Sequence, residues 1–298
     1  MKLYAPKYYQ KFQCIADRCE HSCCIGWEID VDKDTLKKYK RLKSAYGAAI
    51  RDSICMDDTP HFRLGEGERC PHLDERGLCR IILNAGEDYL CDICREHPRF
   101  YNFTKDAEVG LGMSCPEAAR LILSSPDYAV IEEIGKVDAT EDDIPFDGRV
   151  LREALYALLQ DESHGYAERL NSVYRTFSQD KIDDSHYLQI LSSMEYLNPD
   201  HKDLLMKYSS AIRPDGKDEY LERFLAYLVY RHCTEALDEE DFCERLAFCL
   251  FCERLLASLI CTEAAESLQQ IATIASILSE EIEYSDENTL ALTYPTDN

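Results

Sequence analysis

The sequence predicts a mostly α-helical protein, in which an irregular cysteine-rich metal-binding N-terminal region with a few short strands precedes a helical bundle. Three observations predict it. Ten of the fifteen cysteines fall between Cys14 and Cys115, about a third of the chain. From Gly148 onward apolar residues recur at three and four, as in Leu151, Leu155, Leu158 and Leu159, which is the period of an amphipathic helix. Between Cys70 and Cys94, short pieces are separated by Gly77 and Gly86 and no period lasts long enough to build a core. Loops of that kind are commonly organised by a metal they bind. The expected domains are a cysteine-rich metal-binding region over 1–125, an acidic linker over 126–147 and an all-α domain over 148–298.

Taken in order, residues 1–13 carry Tyr4, Tyr8, Tyr9 and Phe12 without a clear period, an aromatic lead-in expected to pack on the cysteine region. Glu28-Ile29-Asp30-Val31 alternates as a short strand does, and Asp32 or Asp34 caps a helix expected over Thr35–Ile54. Asp57-Asp58-Thr59-Pro60 reads as a turn, followed by a short strand at Phe62-Arg63-Leu64. Phe100–Phe103 and Glu108–Met113 are expected to pair through Thr104-Lys105-Asp106, and Pro116 then opens a helix reaching Leu123. Helices are predicted over Gly148–Gln160, Tyr166–Ser178, Ser185–Leu197, Asp200–Ile212, Lys217–Ala236, Glu239–Cys261 and Thr262–Glu283, with fraying from Ser285. No repeat period supports a solenoid.

The net charge of −24 is unevenly placed. Through Ser125 there are 19 Lys+Arg against 20 Asp+Glu, a net of −1; the remainder has 14 against 37, a net of −23. An acidic surface repels phosphate backbones and anionic lipid, which argues against nucleic-acid and membrane partners. It suits a solvated helical surface or the attraction of a lysine-rich protein. No secretory signal opens the sequence and no apolar run reaches membrane-spanning length, so the expected compartment is the reducing cytoplasm. Clustered cysteines there are metal ligands or redox thiols rather than disulfides.

The five later cysteines, Cys233, Cys243, Cys249, Cys252 and Cys261, lie in predicted helices and read as small buried hydrophobes. The front ten sit at turns with short spacings, such as Cys91-x-x-Cys94 and the adjacent Cys23-Cys24, that let several sulfurs converge on one metal. Spacing alone leaves zinc and iron–sulfur open, because it fits neither the usual zinc ribbons nor the ferredoxin run. The radical S-adenosylmethionine signature is begun by Cys19-x3-Cys23, but Gly26 stands where its third cysteine belongs.

The sequence resembles the flagellin lysine-N-methylase family and its cysteine-rich, zinc/iron-chelating region. The resemblance rests on Leu3-Tyr4-Ala5-Pro6, Phe12-Gln13-Cys14, Cys19-x3-Cys23-Cys24-Ile25-Gly26-Trp27, Cys70-Pro71-x-Leu73, Gly77-Leu78-Cys79, Leu90-Cys91-x2-Cys94-Arg95, Pro98-Arg99 and Ser114-Cys115-Pro116-Glu117. It extends over nearly the whole chain, with Tyr220–Arg231 resembling the family's helical part. His72, His97 and Cys55 depart from the pattern. What the resemblance implies is a [4Fe–4S] cluster and methyl transfer from S-adenosylmethionine to a lysine nitrogen of a protein such as flagellin. The candidate ligands are Cys14, Cys19, Cys23, Cys24, Cys70, Cys79, Cys91, Cys94 and Cys115.

A lysine amine is protonated at neutral pH, and removing that proton costs about 4.6 kcal/mol unless burial or a base offsets it. Glu28, Asp30 and Glu117 are the acids nearest the matched cysteines and are the candidate proton acceptors. Trp27 and Tyr101 are candidate walls for the substrate stem. Arg95 and Arg99 are candidates to bind the cosubstrate carboxylate or offset cluster charge. Gly110-Leu111-Gly112 is too short for a Rossmann fingerprint, so a cosubstrate would bind in another way. Two other classes remain open at this stage: a zinc-organised protein-interaction module, and an iron–sulfur electron-transfer or redox-sensing protein.

Overall fold

The computed structural model describes residues 1–19, 21–138, 146–179, 183–210 and 212–295, in two compact units. The smaller is Gln13–Pro98; the larger joins Met1–Phe12 to everything from Arg99. In chain order the elements are β1 (Lys2–Pro6), α1 (Lys33–Arg41), α2 (Ala45–Asp52), β2 (Ile54–Cys55), β3 (His61–Phe62), α3 (Arg80–Ala85), α4 (Asp92–Glu96), β4 (Arg99–Phe103), β5 (Ala107–Leu111), α5 (Pro116–Ser124) and β6 (Ile131–Lys136). There follow α6 (Gly148–Leu159), α7 (Tyr166–Thr176), α8 (Asp184–Ser193), α9 (Pro199–Leu205), α10 (Asp218–His232), α11 (Glu239–Thr262), α12 (Leu268–Glu283) and α13 (Asp286–Thr293). The fold is mostly α, as the sequence predicts. No described helix is long and apolar enough to cross a membrane.

In the smaller unit a compact core gathers Ile29, Val31, Tyr39, Ile50, Phe62 and Ile81 with Cys70 and Cys91. Asp32 caps α1 by accepting from the backbone N–H groups of Asp34 and Thr35, at 3.1 and 2.8 Å. The single helix expected over Thr35–Ile54 is two, because Leu42 is extended and Ser44 caps a fresh start by accepting from Gly47 N–H. Gly47 is required there: a Cβ would lie 2.3 Å from the Leu42 carbonyl oxygen. Glu28–Val31 runs beside the β2–β3 hairpin, with Val31 N–H donating to Pro60 O at 2.7 Å and Phe62 N–H to Ile29 O at 3.0 Å.

The larger unit combines a four-stranded sheet, in the order β4-β5-β1-β6, with helices. β4 and β5 form the expected hairpin, with Thr104 N–H donating to Asp106 O. β1 was invisible to periodicity because its pairing is long-range: it lies parallel to β5 and antiparallel to β6. The aromatic lead-in packs here, Tyr8 buried with Leu111, Ala119 and Ile122 and with Tyr9 and Phe12 against the same core, rather than on the cysteine region as expected. The stretch read as an acidic linker contains β6, and its residues 139–145 lie outside the described ones. The predicted helix Asp200–Ile212 is shorter, ending at Leu205, and its residue 211 lies outside the described ones. Thr262–Glu283 also differs: α11 ends at Thr262, Ala264 takes a positive φ, and α12 restarts at a Ser267/Gln270 capping box. Where fraying was expected, Ser285 caps α13 through Asn288 N–H and Leu292 is fully buried.

Candidate metal centre

Backbone pairing in the smaller unit brings distant cysteines together. Cys70 N–H donates to Cys24 O at 2.8 Å, and the bridge between Ile25 and Arg69 continues that ladder. From Cys70 the chain turns back on itself. Leu73 bridges Cys79, Arg80 N–H donates to His72 O at 2.7 Å, and the Asp74 carboxylate accepts from Arg76 and Leu78 N–H at 2.9 Å each. Gly77, with φ +79°, makes this return possible. Cys79 precedes α3, and Cys91 precedes α4 with Cys94 one turn along the same face.

The α4 end is fastened to α1. Asp32, already the cap of α1, also accepts from Asp92 N–H through its second oxygen at 3.0 Å. The Tyr39 hydroxyl donates to Tyr89 O at 2.7 Å and lies 3.5 Å from Cys91 Sγ. Burial first, then the neighbouring thiols, pushes the Tyr39 phenol far up, so it stays a donor. His72 is a satisfied core histidine, bonded at 2.9 Å to both Tyr46 Oη and Ser53 Oγ. Burial lowers it to about 4.

Cys24, Cys70, Cys79, Cys91 and Cys94 lie close enough for their ionisations to oppose one another. Cys24 is lowered to about 7, chiefly by a hydrogen bond with Cys23, against its burial. Cys70 is pushed up to about 12 by burial first and then by the thiols around it; burial also raises Cys79. Cys91 and Cys94 share a hydrogen bond that lowers the first and strongly raises the second, so the pair loses one proton readily and holds the other. Ionising all five without a cation is costly; a bound metal ion removes that cost and draws the thiols into thiolates. The donor set therefore fits a thiolate-held metal centre.

The other candidate residues are placed as follows. Cys14 accepts from Ala16 N–H at 3.4 Å and Cys19 donates to His21 O at 2.7 Å, both in the smaller unit. Cys115 is the residue before α5 in the larger unit. Trp27 donates to Cys23 O at 2.7 Å and lies 6.2 Å from the His97 ring; Arg95 pairs with Asp92 and, at 3.6 Å, with Glu96. Arg99 and Tyr101 belong to the larger unit, where Arg99 donates to Tyr9 Oη at 3.0 Å and Tyr101 stacks on Phe103. Of the three acids, Glu117 is held by Arg120 at 2.6 Å within α5, Glu28 faces His61 at 3.4 Å, and Asp30 is exposed beside His61 in the strand ladder. The structure thus places both Glu28 and Asp30 beside His61.

Sequence reasoning missed the double use of Asp32 and the role of Tyr39, whose only signals were a cap motif and a helix stripe. It also left Cys55 aside. Among the described residues, the set whose three ligand atoms all lie within 4.8 Å of one another is Cys55, Asp57 and His61, not the core thiols. In the larger unit, Cys233, Cys249 and Cys252 are buried as expected, whereas Cys243 and Cys261 are only partly buried. A groove of about 790 Å³ there is lined by His164, Glu168, Tyr174, Arg175, Asp184 and Arg254. Arg254 is already bonded to Asp184 and Tyr174.

No family model matches the chain, and no solved structure matches it. It is 32% identical over 136 residues to flagellar biosynthetic protein FliU of Salmonella muenchen, a match covering 43% of this chain and 80% of that protein. The lysine-N-methylases of Salmonella typhimurium strain LT2 and Salmonella choleraesuis are also 32% identical over 136 residues. The match spans about a third of those two relatives, 34% of each. The matched share of this chain is smaller than the near-complete resemblance read from the sequence. With four-fifths of the Salmonella muenchen protein matched, the chain belongs to the family of flagellar biosynthetic protein FliU and the lysine-N-methylases.

Proposed function

We propose that the chain is a cytoplasmic protein-lysine N-methyltransferase that uses S-adenosylmethionine, acts on flagellin or a similar lysine-bearing protein, and holds a [4Fe–4S] cluster. The observation that carries the reading is the convergence of Cys24, Cys70, Cys79, Cys91 and Cys94 in one small core, together with the name lysine-N-methylase borne by two relatives. Three of those five thiols are the ligands, which leaves one iron without a cysteine, with Cys14, Cys19 and Cys23 in reserve.

When bound, the cluster supplies an iron that can hold the amino and carboxylate groups of the cosubstrate. The chain's own residues do the rest. Trp27, fixed by its bond to Cys23 O, gives the lysine stem an apolar and cation–π wall. Arg95 offsets anionic charge in the same unit, while Arg99 and Tyr101, in the larger unit, are given no part in it. Asp30, exposed in the same unit beside His61, accepts the lysine proton, which lowers the cost of presenting a neutral amine. Glu117 is a weaker candidate because Arg120 already neutralises it.

The test is incubation of the anaerobically reconstituted chain with methyl-labelled S-adenosylmethionine and flagellin from the same source, with label located by mass spectrometry. Label is expected on lysine side chains, and Asp30→Asn should slow its appearance by roughly 10²–10⁴-fold with cluster content unchanged. A fully loaded chain that transfers no label to any lysine of flagellin, or of a lysate, overturns the reading.

A further inference from the structure

Cys55 belongs to neither the thiol core nor the family pattern, yet it has partners. β2 and β3 are two residues each, and Cys55 pairs directly opposite His61, so their side chains leave the same face of the hairpin. The five-residue loop between them returns Asp57 toward that pair, and Cys55 Sγ, an Asp57 carboxylate oxygen and a His61 ring nitrogen all come within 4.8 Å of one another. Glu28, on the neighbouring extended segment, places Oε2 3.4 Å from His61 Nε2.

The histidine is oriented as a ligand would be. His61 Nδ1 lies 2.9 Å from Thr59 O, and a carbonyl can only accept, so Nδ1 carries the hydrogen. Such a bond from the far ring nitrogen to a backbone carbonyl is the usual way a ligating imidazole is fixed. The other ring nitrogen, Nε2, faces the Glu28 carboxylate at 3.4 Å, which brings a second carboxylate to the Cys55, Asp57 and His61 set. The hairpin itself is too short to be stable on its ladder alone. A cation bound across its open end would staple the loop to both strands and to the segment bearing Glu28.

We propose that Cys55, Asp57 and His61, completed by Glu28, form a second metal site, for a zinc-like divalent cation, using none of the core thiols. One thiolate, one imidazole and two carboxylates are borderline donors that suit zinc rather than magnesium or calcium. Binding requires Cys55, Asp57 and His61 to close from within 4.8 Å to about 3.4–3.6 Å, the edge of a zinc tetrahedron with these ligands, and Glu28 to move in with His61. The site uses none of the thiols of the proposed methyl-transfer centre, and it assigns Glu28 to the metal, leaving Asp30, opposite His61 in the ladder, as the proton acceptor.

The experiment uses the full chain with its iron–sulfur centre already reconstituted, supplied with one equivalent of zinc and then desalted. X-ray absorption at the zinc edge is expected to show one sulfur at about 2.3 Å and three nitrogen or oxygen neighbours at about 2.0–2.2 Å. Competition with a chromophoric chelator should show Cys55→Ser and His61→Gln weakening zinc binding at least ~10-fold, with iron content retained. An all-sulfur shell, loss of all zinc on desalting, or unchanged binding in both variants overturns the proposal. The wild-type shell decides the matter even if a variant fails to fold.

Discussion

In the larger unit, Glu108, Glu253 and Glu283 are all buried, and each carboxylate meets a cation of the same unit: Arg152 at 2.6 Å, Arg213 at 2.6 Å, and Arg231 at 3.2 Å, the last with His232 hydrogen-bonded to Glu283 at 2.6 Å. In the smaller unit the groups gathered in the core are thiols, and what they meet is other thiols. A charge taken out of water must be compensated where it lies. The helical unit carries its compensation in its own sequence, whereas in the cysteine unit the proposed metal would take that place. Their cores differ accordingly, one assembled from many helices and the other a small set of apolar side chains with two cysteines among them.

The largest effect should come from removing the metal. Chelation under anaerobic conditions, or the double change Cys91→Ser and Cys94→Ser, is expected to abolish hydrogen-exchange protection through α1–α4, a loss on the order of 10 kcal/mol for a metal-organised domain. Protection in α10–α12 should persist. If both units lose protection together, the division between them fails.

The converse cut is Glu283→Gln, which leaves Arg231 buried beside no carboxylate. It should cost the helical unit about 3–5 kcal/mol in urea unfolding followed by far-ultraviolet dichroism, while metal content stays at the wild-type level. Acid makes the same cut gradually. Arg231 and His232 hold the Glu283 carboxyl at about 2 in spite of its burial, below the ordinary 4.5. A depressed carboxylate contributes stability above its unfolded pKa and loses it as pH falls through the folded one, so about 3 kcal/mol should vanish between pH 4.5 and pH 2. Burial lowers His232 as well, so the unfolded state takes up that proton first and stability already declines below about pH 6.5. Glu283→Gln should flatten the lower part of that profile. A wild-type curve level from pH 7 to pH 3 would contradict the assignment.

The smallest expected effect sharpens the picture of the cysteine unit. Asp32→Ala removes the cap of α1 and the bond to Asp92 N–H at the start of α4, and should cost about 1–2 kcal/mol. If the second bond positions Cys91, the variant should also release iron to a chelator faster. Asp183→Ala, which removes a cap only from α8 in the other unit, should not.

The helical half was legible because its signal is local: three-and-four spacing located α6 to α12, and the hairpin of β4 and β5 followed from alternation around a polar turn. What stayed hidden was non-local. β1 has no period and is fixed by strands more than a hundred residues away. The break between α1 and α2 depends on one close approach at Gly47, and α13 depends on burial of Leu292 that its weak stripe does not announce. In the site, spacing pointed to Cys24, Cys70, Cys79, Cys91 and Cys94, since each sits at a turn. Cys14 and Cys19 have the same local look, and each also bonds to nearby backbone. Cys55 was set aside as outside the pattern, because its partners His61 and Glu28 are assembled by strand pairing and not by sequence spacing.

The claim on which the rest stands is that thiols from Cys24 to Cys94 share one inorganic centre in the smaller unit. It is tested most directly by Mössbauer spectroscopy of the full chain reconstituted with iron-57, alongside assays of iron and acid-labile sulfide. The account predicts about four irons and four sulfides per chain, the doublets of a cubane cluster, and loss of that spectrum in Cys70→Ser and Cys91→Ser but not in Cys249→Ser. A colourless protein with zinc in an all-sulfur shell and no sulfide would contradict it.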